Sequence, residues 1–240
     1  TQTYTQSSNT SDASVSADID MAMSRDGEKV VGLSSGGMYM DQFVYQYNLS
    51  TPWDLSTAEQ NSSFGVGYEE SYTGLHVSPD GEKMAVSKQG SDVKVYDLSD
   101  PWNLGSSSQI SSMTLDDLNP TGDGVFFSPS GNRMYLSEDY GEVRSYSLSD
   151  SWNLSTASEE SSIGSSLDAS GIAFSDDGSK MLLSDDSGGI NSYDLSRPWD
   201  ITSYSSASSL STSNDAEGVA VSPNGDRIFY NDYDVYGLKR

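Results

Sequence analysis

Residues 74–104 read GLHVSPDGEKMAVSKQGSDVKVYDLSDPWNL. Two apolar runs flank an S-P-D-G turn, in which Pro79 presets φ and Gly81 accepts a positive φ. A second polar turn, KQGSD, leads to residues 92–96, where polar and apolar side chains alternate with a period of two. A Pro-Trp corner follows, and beyond it a weaker, Ser-rich run near 105–113. The pattern predicts four short antiparallel strands and no helix.

The same unit recurs along the chain. The turn returns as MSRDGEKVV (23–31), VSPDGEKMA (77–85), FSPSGNRMY (127–135), FSDDGSKML (174–182) and VSPNGDRIF (221–229), its serines 54, 50, 47 and 47 residues apart. The corner returns as YNLSTPWDL (47–55), YDLSDPWNL (96–104), YSLSDSWNL (146–154) and YDLSRPWDI (193–201). A sustained period near 48 residues marks a repeat architecture, and five four-stranded units describe an all-β, five-bladed β-propeller. One domain then covers 1–240, with blades at about 19–65, 73–115, 123–164, 170–212, and 217–240 completed by 1–11.

Five turns but four corners leave the last blade one strand short. Laying Gln6 on Gln60 matches TQTYTQSSNTS to LSTAEQNSSF, so residues 1–11 are expected to supply the outer strand of blade five. Without it that blade would present an unpaired edge and the ring would stay open. The chain starts without Met or a recognisable leader, and is expected to be processed or part of something longer.

GLHVSPDGEKMAV (74–86) and YDLSDPWNL (96–104), with their copies, resemble prokaryotic and phage propeller repeats built around YDLSTPWDLSTA and GLxFSPDGxKMYV, distantly similar to YVTN and WD-repeat propellers. The resemblance covers nearly the whole chain and implies the fold. Such repeats are scaffolds in surface, secreted and virion proteins. SRDG (24–27) and SDSW (149–152) depart from the pattern by lacking its prolines.

Composition narrows the function. Hydrophobic residues make up only 34%, but 15 Tyr, 6 Phe and 4 Trp at regular spacing separate the chain from a disordered one. Against 12 basic residues stand 36 acidic ones, a net charge of −24 that repels nucleic acid and anionic membranes. Solubility in a salty medium, a Ser- and Asp-rich secreted character, or cation binding would each account for that charge. No cysteine is present, which excludes disulfides and thiol chemistry, and no apolar run approaches a membrane span.

Several residues invite chemistry. The corner Trp and Asx residues could hold sugars, but their repetition in four blades points to scaffold: Asx for the tight corner, Trp for the gap between blades. His76 stands where other blades carry Ala or Phe, and a lone His makes neither a metal site nor a triad. Packing or channel lining is its expected role. Acidic residues precede the inner strands: Asp18 and Asp20, Glu69 and Glu70, Asp116, Asp117 and Asp123, Asp168, and Asp215 with Glu217. Three readings stand open for them: solvated surface, a Ca²⁺ site, or the carboxylates of a glycosidase. Asn9, Asn48, Asn61 and Asn153 begin N-x-S sequons, which matter only in a glycosylating host.

The repeat breaks its own spacing once. From turn Ser to third-strand Tyr takes 18 residues in blades two to four and 23 in blade one. The surplus lies in SSGGMYMDQF (34–43), expected to carry Met38, Tyr39, Met40 and Phe43 on a protruding tip or to fold over the channel mouth. Neighbouring tips add Tyr68, Tyr72, Tyr140 and Tyr233 beside Glu69 and Glu70, a Tyr-and-carboxylate mix suited to glycan or protein contact. The expected function is therefore a non-enzymatic binding propeller, without cofactor unless Ca²⁺. It would be extracellular, cell-surface or virion-borne, and a monomer or one domain of a larger assembly. A carbohydrate-active hydrolase and a purely structural spacer are the alternatives.

Overall fold

The computed structural model describes residues 5–9, 15–35, 41–68, 71–88, 92–114, 122–138, 141–164, 169–185, 188–212, 215–223, 225–232 and 234–239. The chain opens with β1 (Thr5–Asn9). Blade one follows as β2 (Asp20–Met23), β3 (Lys29–Leu33), β4 (Asp41–Leu49) and β5 (Ala58–Tyr68). Blade two is β6 (Tyr72–Val77), β7 (Lys83–Lys88), β8 (Asp92–Leu98) and β9 (Ser107–Thr114). Blade three is β10 (Gly122–Phe127), β11 (Arg133–Glu138), β12 (Glu142–Leu148) and β13 (Ala157–Gly164). Blade four is β14 (Gly171–Phe174), β15 (Lys180–Asp185), β16 (Gly189–Leu195) and β17 (Tyr204–Ser211). Blade five takes β18 (Val219–Val221), β19 (Arg227–Asp232) and β20 (Asp234–Lys239) from the end of the chain and β1 from its beginning.

All five sheets are antiparallel and four-stranded, and their innermost strands meet in a closed cycle β2–β6–β10–β14–β18–β2. The expected closure is present in register. Gln6 pairs with Leu238 in blade five as Gln60 pairs with Tyr47 in blade one. Each third-to-fourth strand pair also carries a bulge at this level, between Gln6 and Ser8 in the last blade and beside Tyr47, Tyr96, Tyr146 and Tyr193 in the others.

The turn motif explains itself in hydrogen bonds. Each motif Ser hydroxyl accepts the backbone N–H five residues on, at 2.9 Å from Lys29 and Lys83, 3.2 Å from Arg133, and 3.0 Å from Lys180 and Arg227. In three blades it also donates to the Asp two residues on, Ser24 to Asp26 at 2.6 Å, Ser78 to Asp80 at 2.5 Å and Ser175 to Asp177 at 2.8 Å. Such Asx and Ser bonds stand in for a backbone turn, so the turn at Ser24 holds without a proline.

The corner is a second device. After each Pro or Ser the Trp adopts φ of +64° to +67°, a left-handed conformation that costs about 1–2 kcal/mol for a non-glycine residue. Its N–H donates to the carbonyl of the turn glycine at 2.8–2.9 Å. The following Asp or Asn then caps a three-residue 3-10 turn by accepting the N–H two residues on, at 3.0–3.2 Å. These 3-10 turns are the helical content among the described residues, where none was expected. The indole lies in the gap between blades: Trp53 stacks on Phe229 of blade five at 5.9 Å, and Trp199 reaches Tyr135 of blade three at 6.3 Å. The tryptophans are scaffold, as the repetition implied. The apolar core accordingly forms five clusters, each spanning one junction between neighbouring blades rather than the middle of one blade.

Candidate functional site

The topology sends the S-P-D-G turns and Trp corners to one face of the ring. The hairpins joining second to third strands, and the links from each blade to the next, go to the other. Inner-strand side chains line an axial cavity of about 90 Å³, contributed by all five blades, including Ala22, His76, Phe126, Ala173 and Ala220. Small-molecule sites occupy about 300–1,000 Å³, so this space is a packed axis rather than a chamber. Towards the corner face, Arg25 of blade one and Asp176 of blade four pair at 2.9 Å beside it.

His76 is buried against Phe126, ring centroids 4.6 Å apart and edge to face, with Trp152 at 6.2 Å. Its Nε2 meets no partner among the described residues, and burial pushes its pKa down to about 3. The residue is a neutral lining side chain, as expected.

The innermost ring holds a more pointed asymmetry. Four residues before each motif Ser stand Gly74, Gly124, Gly171 and Gly218, but Asp20 in blade one. The glycines let adjacent blades close in: a Cβ at Gly171 would lie 2.7 Å from the Glu217 carbonyl oxygen. At the same junction Ser184 Oγ donates to that carbonyl at 3.0 Å. Asp20 does the joining differently. One carboxylate oxygen accepts the N–H of Leu75 in blade two at 2.7 Å, and the other accepts its own neighbour Met21 at 2.7 Å. Burial nevertheless dominates, and with the nearby Glu217 charge it pushes the Asp20 pKa up to about 8 against the two N–H bonds.

Of the other described acidic residues in this set, Glu217 acts on Asp20 through its charge. Asp18 accepts the N–H of Ser35 at 3.0 Å and the hydroxyl of the same residue. Asp215 is exposed and Glu217 half-buried. Glu69, Glu70, Asp116, Asp117 and Asp168 lie outside the described residues, as does the Asp123 side chain. Among the described residues no three acidic or His side chains are grouped to hold a metal.

Of the expected contact residues, Met38, Tyr39, Met40, Glu69, Glu70, Tyr140 and Tyr233 lie outside the described residues, as does the side chain of Tyr68. Phe43 is half-buried, its ring 5.9 Å from Tyr45 and packed over Gly65. Tyr72 corrects the sequence reading, for it is fully buried rather than exposed on a tip. Gln42 holds its backbone, Nε2 donating to the Tyr72 carbonyl at 2.7 Å and Oε1 accepting the Tyr72 N–H at 2.8 Å. Lys94 Nζ lies over the Tyr72 ring, 5.1 Å from its centroid, and donates to its hydroxyl. Gln42 belongs to the surplus of blade one, where β4 and β5 run 9 and 11 residues against 7 and 8 in blades two to four. The insertion thus builds an outer hairpin that continues past its counterparts and is bolted to blade two by one buried amide. The repeat count located the insertion, but no sequence signal marks the Gln42 lock.

No family model matches the chain, and no curated protein is significantly similar to it. Solved structures are similar in number, 1436 chains, so the architecture is widely shared and specifies no activity. One is a functionally unknown protein from Desulfotomaculum acetoxidans DSM 771, at a TM-score of 0.53 and 14% identity. The match covers 88% of this chain and 62% of that one, and at this identity it shows the fold alone.

Proposed function

We propose that the chain is a non-catalytic recognition propeller of a secreted, cell-surface or virion assembly. It contacts a glycan or a protein through the face that carries the second-to-third-strand hairpins. The observation that carries this reading is the elongated β4–β5 hairpin of blade one, which the Gln42–Tyr72 amide lock fixes to blade two. A preorganised edge bearing Phe43 lowers the ordering cost of binding. The packed axis and the Asp20 carboxylate, committed to two backbone N–H groups, favour binding over hydrolysis.

The test is a printed glycan array and a panel of surface proteins, probed with the wild type and with the Tyr39→Ala/Phe43→Ala double variant. A retained ligand that the variant loses at an unchanged melting temperature supports the reading. Equal retention by both overturns it.

A further inference from the structure

The corner of blade four overlies a hollow in blade three, and the residue that makes the hollow can be read across the repeats. Opposite Val31, Ala85 and Tyr135 of the second strands stand Gln46, Val95 and Ser145 of the third. Gln46 and Val95 are fully buried. Gln46 spans its blade face, Nε2 donating to Asn48 Oδ1 at 2.8 Å and Oε1 accepting Asn61 Nδ2 at 2.7 Å. Ser145 is too short for that. Its hydroxyl stops at Ser161 Oγ, 2.7 Å away, and a cavity of about 280 Å³ separates this pair from the corner of blade four.

The walls of the cavity carry a donor, an acceptor and an indole. In blades one, two and four the second strand begins with a lysine, Lys29, Lys83 or Lys180, that donates to the residue opposite it, Asn48, Asp97 or Asp194. Blade three has Arg133, which faces Ser147 and turns instead to Glu160, Nη1 to Oε2 at 2.5 Å. Glu160 is the bulge residue of β13: Ser161 pairs with Ser145 and Glu159 with Tyr146, so the residue between them has no opposite number. Its Oε1 bonds to no described residue. Across the cavity stands Trp199, half-buried where Trp102 and Trp152 are 8% and 9% exposed. The corner is held in place, with the Tyr135 hydroxyl donating to the Trp199 carbonyl at 2.8 Å. Asp200 beside it accepts the Thr202 N–H at 3.0 Å and pairs with Arg197 at 2.7 Å.

We infer that this cavity between blades three and four is a subsite for one uncharged pyranose ring. A guanidinium beside a carboxylate offers a donor and an acceptor side by side. Two vicinal hydroxyls, each able to accept and to donate, match that pair. The exposed part of the Trp199 indole supplies an apolar surface for the C–H face of the ring. A volume of about 280 Å³ lies just below the range of about 300–1,000 Å³ for small-molecule sites, which suits a single ring. Arg133 opposes a divalent cation, while Glu160, Asp200 and the net charge of −24 oppose an acidic sugar or a phosphate. The subsite lies on other blades than the β4–β5 hairpin and does not rest on the reading given to that face.

The probes are D-glucose, D-galactose, D-mannose, L-fucose and N-acetyl-D-glucosamine, titrated against the full chain by calorimetry and saturation-transfer NMR. At least one should bind saturably and one-to-one. Ser145→Val copies the Val95 of blade two, closes the cavity and should abolish binding while the far-ultraviolet spectrum stays unchanged. Glu160→Gln, an exposed change, should weaken binding by about tenfold or more, the loss of a charge-assisted acceptor, and keeps the test decisive if the first variant unfolds. Tyr39→Ala/Phe43→Ala should leave the affinity unchanged. No saturable binding of any of these sugars, or an affinity that either folded blade-three variant leaves unchanged, overturns the proposal. Loss of binding in the blade-one variant would assign the sugar to the other face and overturn it equally.

Discussion

Asp20→Asn should abolish a decline in stability that the wild type shows between pH 6.5 and 8. Asp20 titrates near 8 when folded, against an ordinary 3.8, so the folded state holds the proton more tightly than the unfolded one. Its stabilising contribution is complete at low pH and is lost as pH rises through 8. His76 acts in the opposite sense: its pKa falls from 6.5 to about 3, so its contribution is present above 6.5 and lost below. From about 4 to 6.5 the two slopes oppose each other, and above 6.5 only the Asp20 slope of the two remains. One proton is worth about 1.4 kcal/mol per pH unit, so 1.5 units come to about 2 kcal/mol. For a chain of 240 residues that corresponds to about 4 °C in melting temperature. Scanning calorimetry from pH 4 to 9 on both proteins makes the comparison. Asn keeps one oxygen for the Leu75 N–H and carries no charge, so its profile should be flat from 6.5 to 8. A wild-type melt that holds or rises across that window, or an identical fall in the variant, refutes the reasoning.

Further outcomes follow from the same contacts. Gly131→Ala drives a methyl group to 2.0 Å from Trp152 Nε1 and should cost about 2–5 kcal/mol by urea denaturation, overpacking added to left-handed strain. Gln42→Ala deletes two buried hydrogen bonds to Tyr72 and should cost about 3 kcal/mol in the same assay, with amide exchange at Tyr72 accelerating first. Trp152→Ala, opening the slot between blades two and three, should cost about 3–5 kcal/mol.

The fold was legible because the repeat states it five times. The S-x-D-G spacing shows each turn, and the Gln6-to-Gln60 match shows the closing strand, since both are local patterns written in residue identity. The corner Trp was legible as scaffold for the same reason, but its positive φ was not, for nothing in P-W-[D/N] announces a left-handed residue. Asp20 was visible as one of the acidic residues before the inner strands, left open as solvated surface, Ca²⁺ site or glycosidase carboxylate, but not as a buried residue of the ring. Aligning the position four residues before each motif Ser, which reads Asp, Gly, Gly, Gly, Gly, would have put it inside the ring. Tyr72 failed for a tertiary reason: a Tyr at a strand start reads as a tip until a Gln from another blade is found holding it.

Ring closure by β1 supports every asymmetry described above, and native-state hydrogen exchange along β20 measures it directly. In the full chain the amides of residues 236–239, which lie between β19 and β1, should be protected to within about tenfold of those in β19. In a chain lacking residues 1–9 that protection should collapse and the melting temperature should drop by many degrees. Free-peptide exchange rates along β20 in the full chain, or an unchanged melt after the deletion, would contradict the closed ring.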